Sequence, residues 1–360
     1  MRICHLISGD LWAGAEVMAF NLLRELRKFP DLDLSVIIFN ESRLAGELSA
    51  QKIAVWVLDE HRESFPRLVL KVRGFLRRHF PQVIHSHRYK ENILGFLGKC
   101  RRAKMVATQH GMPESGDSTR GLSSRLVARV NGYLLSRCFD RVVGVSSNIQ
   151  EHLLNCGARP DRLRVINNGI EIPDLLPRER RKTIVVGSAG RFFPVKGYPL
   201  MVEIAGMVSK KSAPVRFELA GEGPERDRLE GLIAAHGLSE SFRLCGRIDQ
   251  MDSFYVGLDV YLNTSLHEGI PMSILEAMAH GLPVIAPKVG GIAEIIEDGV
   301  EGFLVAGRNP EDFAEKCVML QNSELRQRMG RAARAKIERA FSAQAMAQQY
   351  HRLYYELVAP

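Results

Sequence analysis

The sequence lacks the cysteine pairs and the long apolar runs that mark several classes of protein. Its six cysteines are scattered over 360 residues without a Cys-x-x-Cys pair, which argues against a disulfide framework and against a cysteine-based zinc site. No apolar run approaches the roughly 18 residues of a membrane span, and the first residues do not have the pattern of a signal peptide. We therefore expect a cytoplasmic protein with reduced thiols.

Motifs for two further classes of protein are also missing. No Gly-x-Gly-x-x-Gly follows the first predicted strand, which disfavours a dinucleotide dehydrogenase. The chain carries no zinc finger, no RNP motif and no basic stripe interleaved with aromatic residues. Because such modules carry most nucleic-acid recognition, we expect no nucleic-acid partner.

An excess of positive charge is present, but only in the first half of the chain. Residues 1–172 hold 26 Lys and Arg against 17 Asp and Glu, a net charge of +9, whereas residues 173–360 hold 23 against 24, a net charge of −1. This asymmetry predicts a negatively charged partner for the first half, either an anionic membrane surface or a phosphorylated acceptor. Basic amphipathic helices predicted at 67–80 and 120–141 either pack on the core, which is the usual role, or lie on such a surface.

Strand-like and helix-like segments alternate along the chain. Strands are predicted at residues 2–7, 34–39, 54–58, 83–85, 105–108, 141–145 and 164–166 and, after a linker at 172–182, at 183–188, 216–220, 242–245, 259–263, 283–286 and 302–305. Repeated strand-helix units predict an α/β fold with parallel, doubly wound sheets. We expect two Rossmann-like domains facing across a cleft, residues 1–172 and 173–341, with a last helix at about 342–358 packed back on the first domain.

The strongest local signal is the loop that connects the strand at 259–263 to the following helix. Gly269 allows close backbone approach, and Pro271 suits the first helical turn. The N–H groups of Met272 and Ser273 are then free to bind a phosphate at the helix N-terminus. The loop is therefore a candidate ligand site at the carboxyl end of a parallel sheet.

Glu268 and Glu276 lie eight residues apart in this stretch, SLHEGIPMSILEAMAHGLPVIAPKVGGIAEII. The Glu-x7-Glu spacing in that setting resembles the donor site of glycosyltransferase family four, the retaining enzymes of the GT-B fold. The resemblance implies that Glu268 orients the donor sugar and that Glu276 holds the ribose of its nucleotide. It also implies donor contacts from the residues Gly269, Ile270, Pro271, Met272 and Ser273. The alternative is a pair of solvated glutamates on an ordinary helix.

A second motif, GRFFPVKG, follows the first strand of the second half. Arg191 offers a planar fork of donors and Lys196 a point charge, a combination suited to a diphosphate and to the charge that it develops on leaving. The segment, which begins at Gly190, resembles the Gly-Arg-x4-Lys-Gly of the same family, in which these residues have that role. Arg247 and Ile248, after a later strand, are by resemblance where backbone groups meet the nucleotide base. An exposed basic loop is the alternative for the first motif, and a tight turn for the second.

The first half carries two weaker motifs. The segment AGAE resembles the family's Gly-Gly-x-Glu, which implies that Gly14 donates a backbone hydrogen bond to the diphosphate and that Glu16 lies on the acceptor side. Thr108-Gln109-His110-Gly111 resembles Thr-x-His-[Asp/Gly], which implies that His110 faces the cleft and helps to orient the sugar. Without the resemblance, His110 could equally be an ordinary histidine at a strand end.

The sequence gives little reason to expect a metal ion. His85 and His87 look like a metal-binding pair, but no third ligand is evident near them, so we assign His87 instead to acceptor contact. Asp31-Leu32-Asp33 imitates the Asp-x-Asp of metal-dependent sugar transferases, but it precedes a strand instead of following one. We therefore expect neither a metal nor any other cofactor.

Taken with the resemblance, these motifs predict a retaining glycosyltransferase. It would move a sugar from a nucleotide-diphosphate donor, for which UDP is the expected nucleotide, to a glycan or lipid-linked acceptor in cell-envelope or exopolysaccharide synthesis. It would work in the cytoplasm or on the inner face of the cytoplasmic membrane. A nucleotide-sugar 2-epimerase of the same fold and a noncatalytic nucleotide-sugar-binding scaffold are the alternatives.

Overall fold

The structure is a computed structural model, which describes residues 1–9, 12, 14–100, 102–111, 122–175, 183–211 and 215–359. It divides the chain into two compact units: Met1–Glu171 together with Ala343–Pro360, and Ile172–Ser342. Each unit is built around one parallel sheet, which confirms the predicted α/β class with two Rossmann-like domains. Residues 176–182 of the predicted linker lie outside the described residues.

The first unit has a seven-stranded sheet in the order β3-β2-β1-β4-β5-β6-β7 within the described residues. Its strands are β1 (Arg2–Ile7), β2 (Asp33–Ile38), β3 (Ala54–Val57), β4 (Val83–Ser86), β5 (Lys104–Gln109), β6 (Arg141–Gly144) and β7 (Leu163–Val165). Its helices are α1 (Gly14–Leu26), α2 (Arg43–Ala50), α3 (Phe65–His79), α4 (Tyr89–Gly98), α5 (Leu122–Arg137) and α6 (Ser147–Asn155).

The second unit has a six-stranded sheet in the order β10-β9-β8-β11-β12-β13 within the described residues. Its strands are β8 (Ile184–Ala189), β9 (Val215–Ala220), β10 (Phe242–Gly246), β11 (Val260–Leu262), β12 (Val284–Pro287) and β13 (Gly302–Val305). Its helices are α7 (Tyr198–Lys211), α8 (Arg226–Ala235), α9 (Met251–Val256), α10 (Met272–Ala279), α11 (Ile292–Ile295), α12 (Pro310–Met319) and α13 (Ser323–Ala340). The last helix, α14 (Ala343–Val358), belongs to the first unit.

Continuous apolar runs make the central strands, because helices cover both faces of a parallel sheet. In β1, the residues from Ile3 to Ile7 are all buried, and β11 is buried throughout. Each sheet reverses its strand order once, between β1 and β4 in the first unit and between β8 and β11 in the second. The crevice beyond the carboxyl ends of the strands at such a point is where open α/β sheets bind ligands.

The two basic helices of the first unit begin and end at other residues than predicted. Helix α5 ends at Arg137 and Arg141 begins β6, while Arg120 lies outside the described residues. Helix α3 buries its apolar face, Leu68, Val72 and Leu76, in the core of its unit. That face is therefore not available to a membrane, although basic residues on the opposite side are exposed. No helix among the described residues is long and apolar enough to cross a bilayer.

Candidate functional site

Lys196 and Glu268 meet at the carboxyl edge of the second sheet. The loop after β8 carries Lys196, and the loop after β11 carries Glu268, so both come from the strands that flank the reversal of strand order. The Lys196 ammonium donates to Glu268 Oε1 over 2.6 Å, and the Ser265 hydroxyl donates to the same oxygen over 2.7 Å. Their side chains are 23% and 11% exposed. This half-buried ion pair is open to a ligand, since an ammonium has two further protons to donate.

Arg191, the other basic residue of this loop, contacts an aromatic ring. Its side chain is exposed, and its guanidinium carbon lies 4.9 Å from the centroid of the Phe193 ring. The stacked guanidinium keeps its hydrogen-bond donors at the surface, where an anion can reach them. A joint contact of Arg191 and Lys196 with one diphosphate remains a prediction.

Two glycine contacts fix the loops that carry these residues. A Cβ on Gly290 would lie 1.9 Å from the carbonyl oxygen of Glu268, and the φ of Gly290 is +51°. A Cβ on Gly221 would lie 1.9 Å from the carbonyl oxygen of Gly190. No side chain fits at either position, so the backbones are in direct contact. The Gly221 and Gly290 segments therefore hold the backbones at Gly190 and Glu268 in place.

Helix α10 begins directly after the Glu268 loop. Pro271 occupies the N-cap position instead of the first turn, and Met272 is the first helical residue. The first intrahelical N–H is that of Ile274, which donates to Pro271, so the N–H groups of Met272 and Ser273 precede the hydrogen-bonded helix. Such groups attract an anion. Ile270 and Met272, which follow Gly269, have buried apolar side chains that anchor this end of the helix in the core.

Glu276 lies one turn inside α10 and has an unusual carboxyl group. Burial raises its pKa from the ordinary 4.5 to about 7, the hydrogen bond from Tyr255 lowers that pKa, and the charge of Asp252 raises it. The Tyr255 hydroxyl donates to Glu276 Oε2 over 2.7 Å. A carboxyl that changes charge near neutral pH is a common feature of functional sites.

Two arginines follow the strands β10 and β13 at this edge of the sheet. Arg247 is exposed and pairs with Asp249 over 3.4 Å, while Ile248 beside it is half-buried. Arg308, which the sequence analysis missed, donates to the carbonyl oxygens of Thr264 and Ser265 over 2.9 and 3.2 Å. These two hydrogen bonds fix the backbone at the start of the loop that carries Glu268.

In the first unit, His110 ends a buried chain of hydrogen bonds. The rings of His110, His87 and His5 are linked in series, with nitrogen-to-nitrogen distances of 3.2 and 3.1 Å. Tyr354 of α14 connects His5 to His85, at 3.5 and 2.7 Å from the two ring nitrogens. His85 Nε2 lies 2.8 Å from the Thr108 hydroxyl oxygen. The Thr108 oxygen lies 2.8 Å from the Tyr350 hydroxyl, where the chain ends.

The environment keeps all four imidazoles neutral. Burial lowers the pKa of His5 and of His110 to about 3, and the charge of Arg88 adds to the effect on His110. Burial also lowers the pKa values of His85 and His87, with a further contribution from neighbouring histidines. The rings therefore carry one proton each at neutral pH.

The expectation that His85 and His87 lack a third histidine was wrong. His5 and His85 are paired across β1 and β4, and one ring nitrogen from each of His5, His85 and His87 lies within 4.8 Å of the other two. Three histidines suit a transition metal. Both nitrogens of each ring, however, already hydrogen-bond within the chain described above, so a metal would have to replace those bonds.

The acceptor-side candidates prove to be buried. His87 is 2% exposed and touches His5 and His110 through its two nitrogens, so it can reach a ligand only through His110. Glu16 is also buried and accepts from the Arg88 guanidinium over 2.7 Å. Gly14 is exposed at the first residue of α1, whereas Ala13 of the same motif lies outside the described residues.

Asp31, the first residue of the Asp-Leu-Asp segment, has a structural contact with the last helix. It precedes β2 and accepts hydrogen bonds from Tyr355 over 2.6 Å and from His351 over 3.1 Å, both on α14. The hydrogen bond from Tyr355 is the main reason why the pKa of Asp31 is lowered. Asp31 thus attaches the last helix to the first unit.

Comparison with known proteins agrees with this architecture. The family profile described as "Glycosyltransferase Family 4" matches residues 12–172, and "Glycosyl transferases group 1" matches residues 176–336. The chain is 26% identical to the D-inositol 3-phosphate glycosyltransferase of Kribbella flavida, over 75% of this chain and 70% of that protein. It is 27% identical to the GPI3 subunit of phosphatidylinositol N-acetylglucosaminyltransferase of Saccharomyces cerevisiae, over 77% of this chain and 66% of that protein.

Solved structures share the same fold. The crystal structure of Anabaena HepE in complex with UDP-glucose superposes with a TM-score of 0.83, at 23% identity, covering 99% of this chain and all of that one. The two family profiles together account for nearly the whole chain, each matching one of its two units. The chain belongs to glycosyltransferase family four and has the GT-B fold.

Proposed function

We propose that this glycosyltransferase takes its sugar from a nucleotide-diphosphate donor, with UDP as the nucleotide, and transfers it with retention of anomeric configuration. The observation that carries the proposal is the Lys196–Glu268 pair beside the open N-terminus of α10. A donor with negative phosphates and neutral hydroxyls fits a site with one ammonium, free N–H groups and one carboxylate. The Anabaena relative, whose structure contains UDP-glucose, supports UDP as the nucleotide.

The residues have separate roles in this proposal. The charge that develops on the departing diphosphate is stabilised by Lys196, by Arg191 and by the first N–H groups of α10. Stabilising this charge lowers the barrier to transfer. Glu268 Oε1 is occupied by Lys196 and Ser265, and Oε2 accepts from a hydroxyl of the sugar. Gly190 lets backbone groups approach the phosphates, and Arg247 and Ile248 contact the base. No metal is needed, because cationic side chains supply the positive charge.

For the acceptor we propose a glycan or lipid-linked molecule of the cell envelope or of an exopolysaccharide, reached at an anionic membrane surface. Helix α3 supports this: Leu70 is 67% exposed and Phe80, just beyond its end, is 63% exposed. Exposed arginines at 73, 77 and 78 lie beside them. Each basic residue near an anionic surface contributes about 1 kcal/mol.

Substitution of Lys196 tests the donor site. Lys196→Ala and Lys196→Gln should each lower turnover by roughly two orders of magnitude, because both remove charge that stabilises the transition state. The glutamine variant still offers Glu268 a hydrogen-bond donor, which separates loss of charge from collapse of the loop. Lys316→Ala, which removes an ammonium paired with Glu315 on α12, is the matched control. Near-normal turnover in Lys196→Gln would exclude the proposed role.

The product distinguishes the alternatives. NMR of the glycosidic product should show the anomeric configuration of the donor, and inversion would rule out the retaining assignment. Incubation with the nucleotide sugar alone should leave the configuration at carbon 2 unchanged. Epimerisation at that carbon would indicate a 2-epimerase instead. A scaffold protein would bind the nucleotide sugar and give no transfer to any acceptor.

A further inference from the structure

The buried chain from Tyr350 to His110 has a direction. Each neutral imidazole has one nitrogen that donates and one that accepts, so fixing the role of one ring nitrogen fixes every ring after it. The chain runs through Thr108, His85, Tyr354, His5 and His87, and all of these groups belong to the first unit. The direction is therefore decided at its ends.

Tyr350 decides it at the inner end. Among the described residues, its hydroxyl contacts one hydrogen-bond partner, Thr108 Oγ1. The phenol is fully buried, and burial raises its pKa, so the hydroxyl keeps its proton. If Thr108 donated to Tyr350, the buried Tyr350 proton would be left without an acceptor, which is unfavourable because the hydroxyl has also lost its water. Tyr350 therefore donates to Thr108, and Thr108 donates to His85 Nε2.

The rest of the direction follows ring by ring. His85 accepts at Nε2, so it carries its proton on Nδ1 and donates to the Tyr354 oxygen. Tyr354 donates to His5 Nε2, which leaves the His5 proton on Nδ1, facing His87 Nε2. His87 in turn donates from Nδ1 to His110 Nε2. His110 is left with its proton on Nδ1.

We propose that Tyr350 and Tyr354 of α14 are positioning residues that fix His110 in the Nδ1–H tautomer, so that it presents a hydrogen-bond donor to a substrate oxygen. His110 Nδ1 is buried and has no partner among the described residues, as expected of a donor that awaits a ligand. The ligand atom must be an acceptor, either a sugar hydroxyl oxygen or a phosphate oxygen. The role of the donor in transfer rests on the proposed function, but the tautomer does not.

The tautomer can be measured in the ligand-free protein. Nitrogen-15 NMR of protein labelled at histidine distinguishes protonated from unprotonated ring nitrogens, and the signals missing from His110→Gln identify His110. We expect a protonated Nδ1 and an unprotonated Nε2 in the wild type. A proton on Nε2 would overturn the inference, whatever the protein's activity.

Substitution of Tyr354 tests the relay itself. Tyr354→Phe keeps the ring but breaks the chain between His85 and His5, so His110 should show a mixture of both tautomers. Tyr355→Phe, on the same helix, removes a hydroxyl bonded to Asp31 and should leave the His110 spectrum unchanged. A single Nδ1–H species in Tyr354→Phe would show that Tyr354 does not set the tautomer.

Kinetics then test whether the tautomer matters. Tyr354→Phe should lower kcat/KM by about tenfold in an otherwise normal protein. In a His110→Gln background, the same change should have no further effect, because the tyrosine acts through His110. Additive losses would contradict this coupling. A protein with the expected tautomer but no transferase activity would contradict the proposed function alone.

Discussion

Glu276→Gln should abolish a pH dependence that the wild-type carboxyl imposes. A pKa near 7 against an ordinary 4.5 corresponds to about 3 kcal/mol between the two protonation states. Because the folded-state pKa is raised, this contribution to the free energy of unfolding is fully present below pH 4.5 and is lost as pH rises through about 7. The amide of the variant does not titrate and can still accept from the Tyr255 hydroxyl.

Nucleotide binding should show the opposite trend with pH. Two ribose hydroxyls donate more strongly to a carboxylate than to a neutral carboxyl, so UDP should bind the ionised form of Glu276 more tightly. With the pKa near 7, the affinity of the wild type should increase about tenfold between pH 6 and pH 8. The nucleotide's own phosphate titrates in the same range, but it does so equally in Glu276→Gln.

Calorimetry across this pH range separates the two effects. Titration of UDP in two buffers of different ionisation enthalpy gives the number of protons released, and the difference between wild type and Glu276→Gln belongs to the carboxyl. Chemical denaturation at the same pH values gives the free energy of unfolding. Parallel profiles for the two proteins, in binding and in stability, would refute the assignment of this pKa and of the ribose contact.

Two further predictions concern the metal and the membrane. Transfer should continue unchanged in EDTA, because cationic side chains stabilise the leaving diphosphate; a requirement for added Mn²⁺ or Mg²⁺ would show that they are insufficient. The protein should sediment with anionic vesicles at low salt and be released at high salt, since screening weakens surface attraction. Reversal of Arg73, Arg77 and Arg78 to Glu should reduce this binding, while thermal shifts with UDP stay normal.

The vesicle experiment needs a charge-matched control. The same reversal at three exposed arginines of α13, in the second unit, changes the net charge equally without touching α3. Those residues are Arg328, Arg331 and Arg339. Equal loss of binding in both variants, or no binding by the wild type, would contradict a membrane contact through α3.

The positions of the strands were predicted well, because the signals that mark a strand lie within a few residues of it in the sequence. Every predicted strand is present, with ends that differ by no more than one residue. Apolar runs bounded by Gly, Pro and polar residues are sufficient to locate a buried parallel strand. The motif loops at Lys196 and Glu268 could be located for the same reason, since each directly follows such a strand.

The contacts between distant residues could not be predicted. His5 reaches His87 across 82 positions of sequence, and Tyr354 reaches His85 across 269. The first contact depends on the pairing of β1 with β4, and the second on where α14 returns. Neither depends on local sequence, so the third histidine and the burial of His87 could not be predicted.

The return of α14 to the first unit has a consequence for synthesis of the chain. The ribosome completes the second unit, Ile172–Ser342, before it has made the helix that the first unit still lacks. Until α14 emerges, His5 and His85 have no tyrosine hydroxyls to bond, and the residues of α1 that contact the helix stay uncovered. The first unit is therefore completed only after the second, because its hydrogen bonds at His5 and His85 form once Tyr354 has left the ribosome.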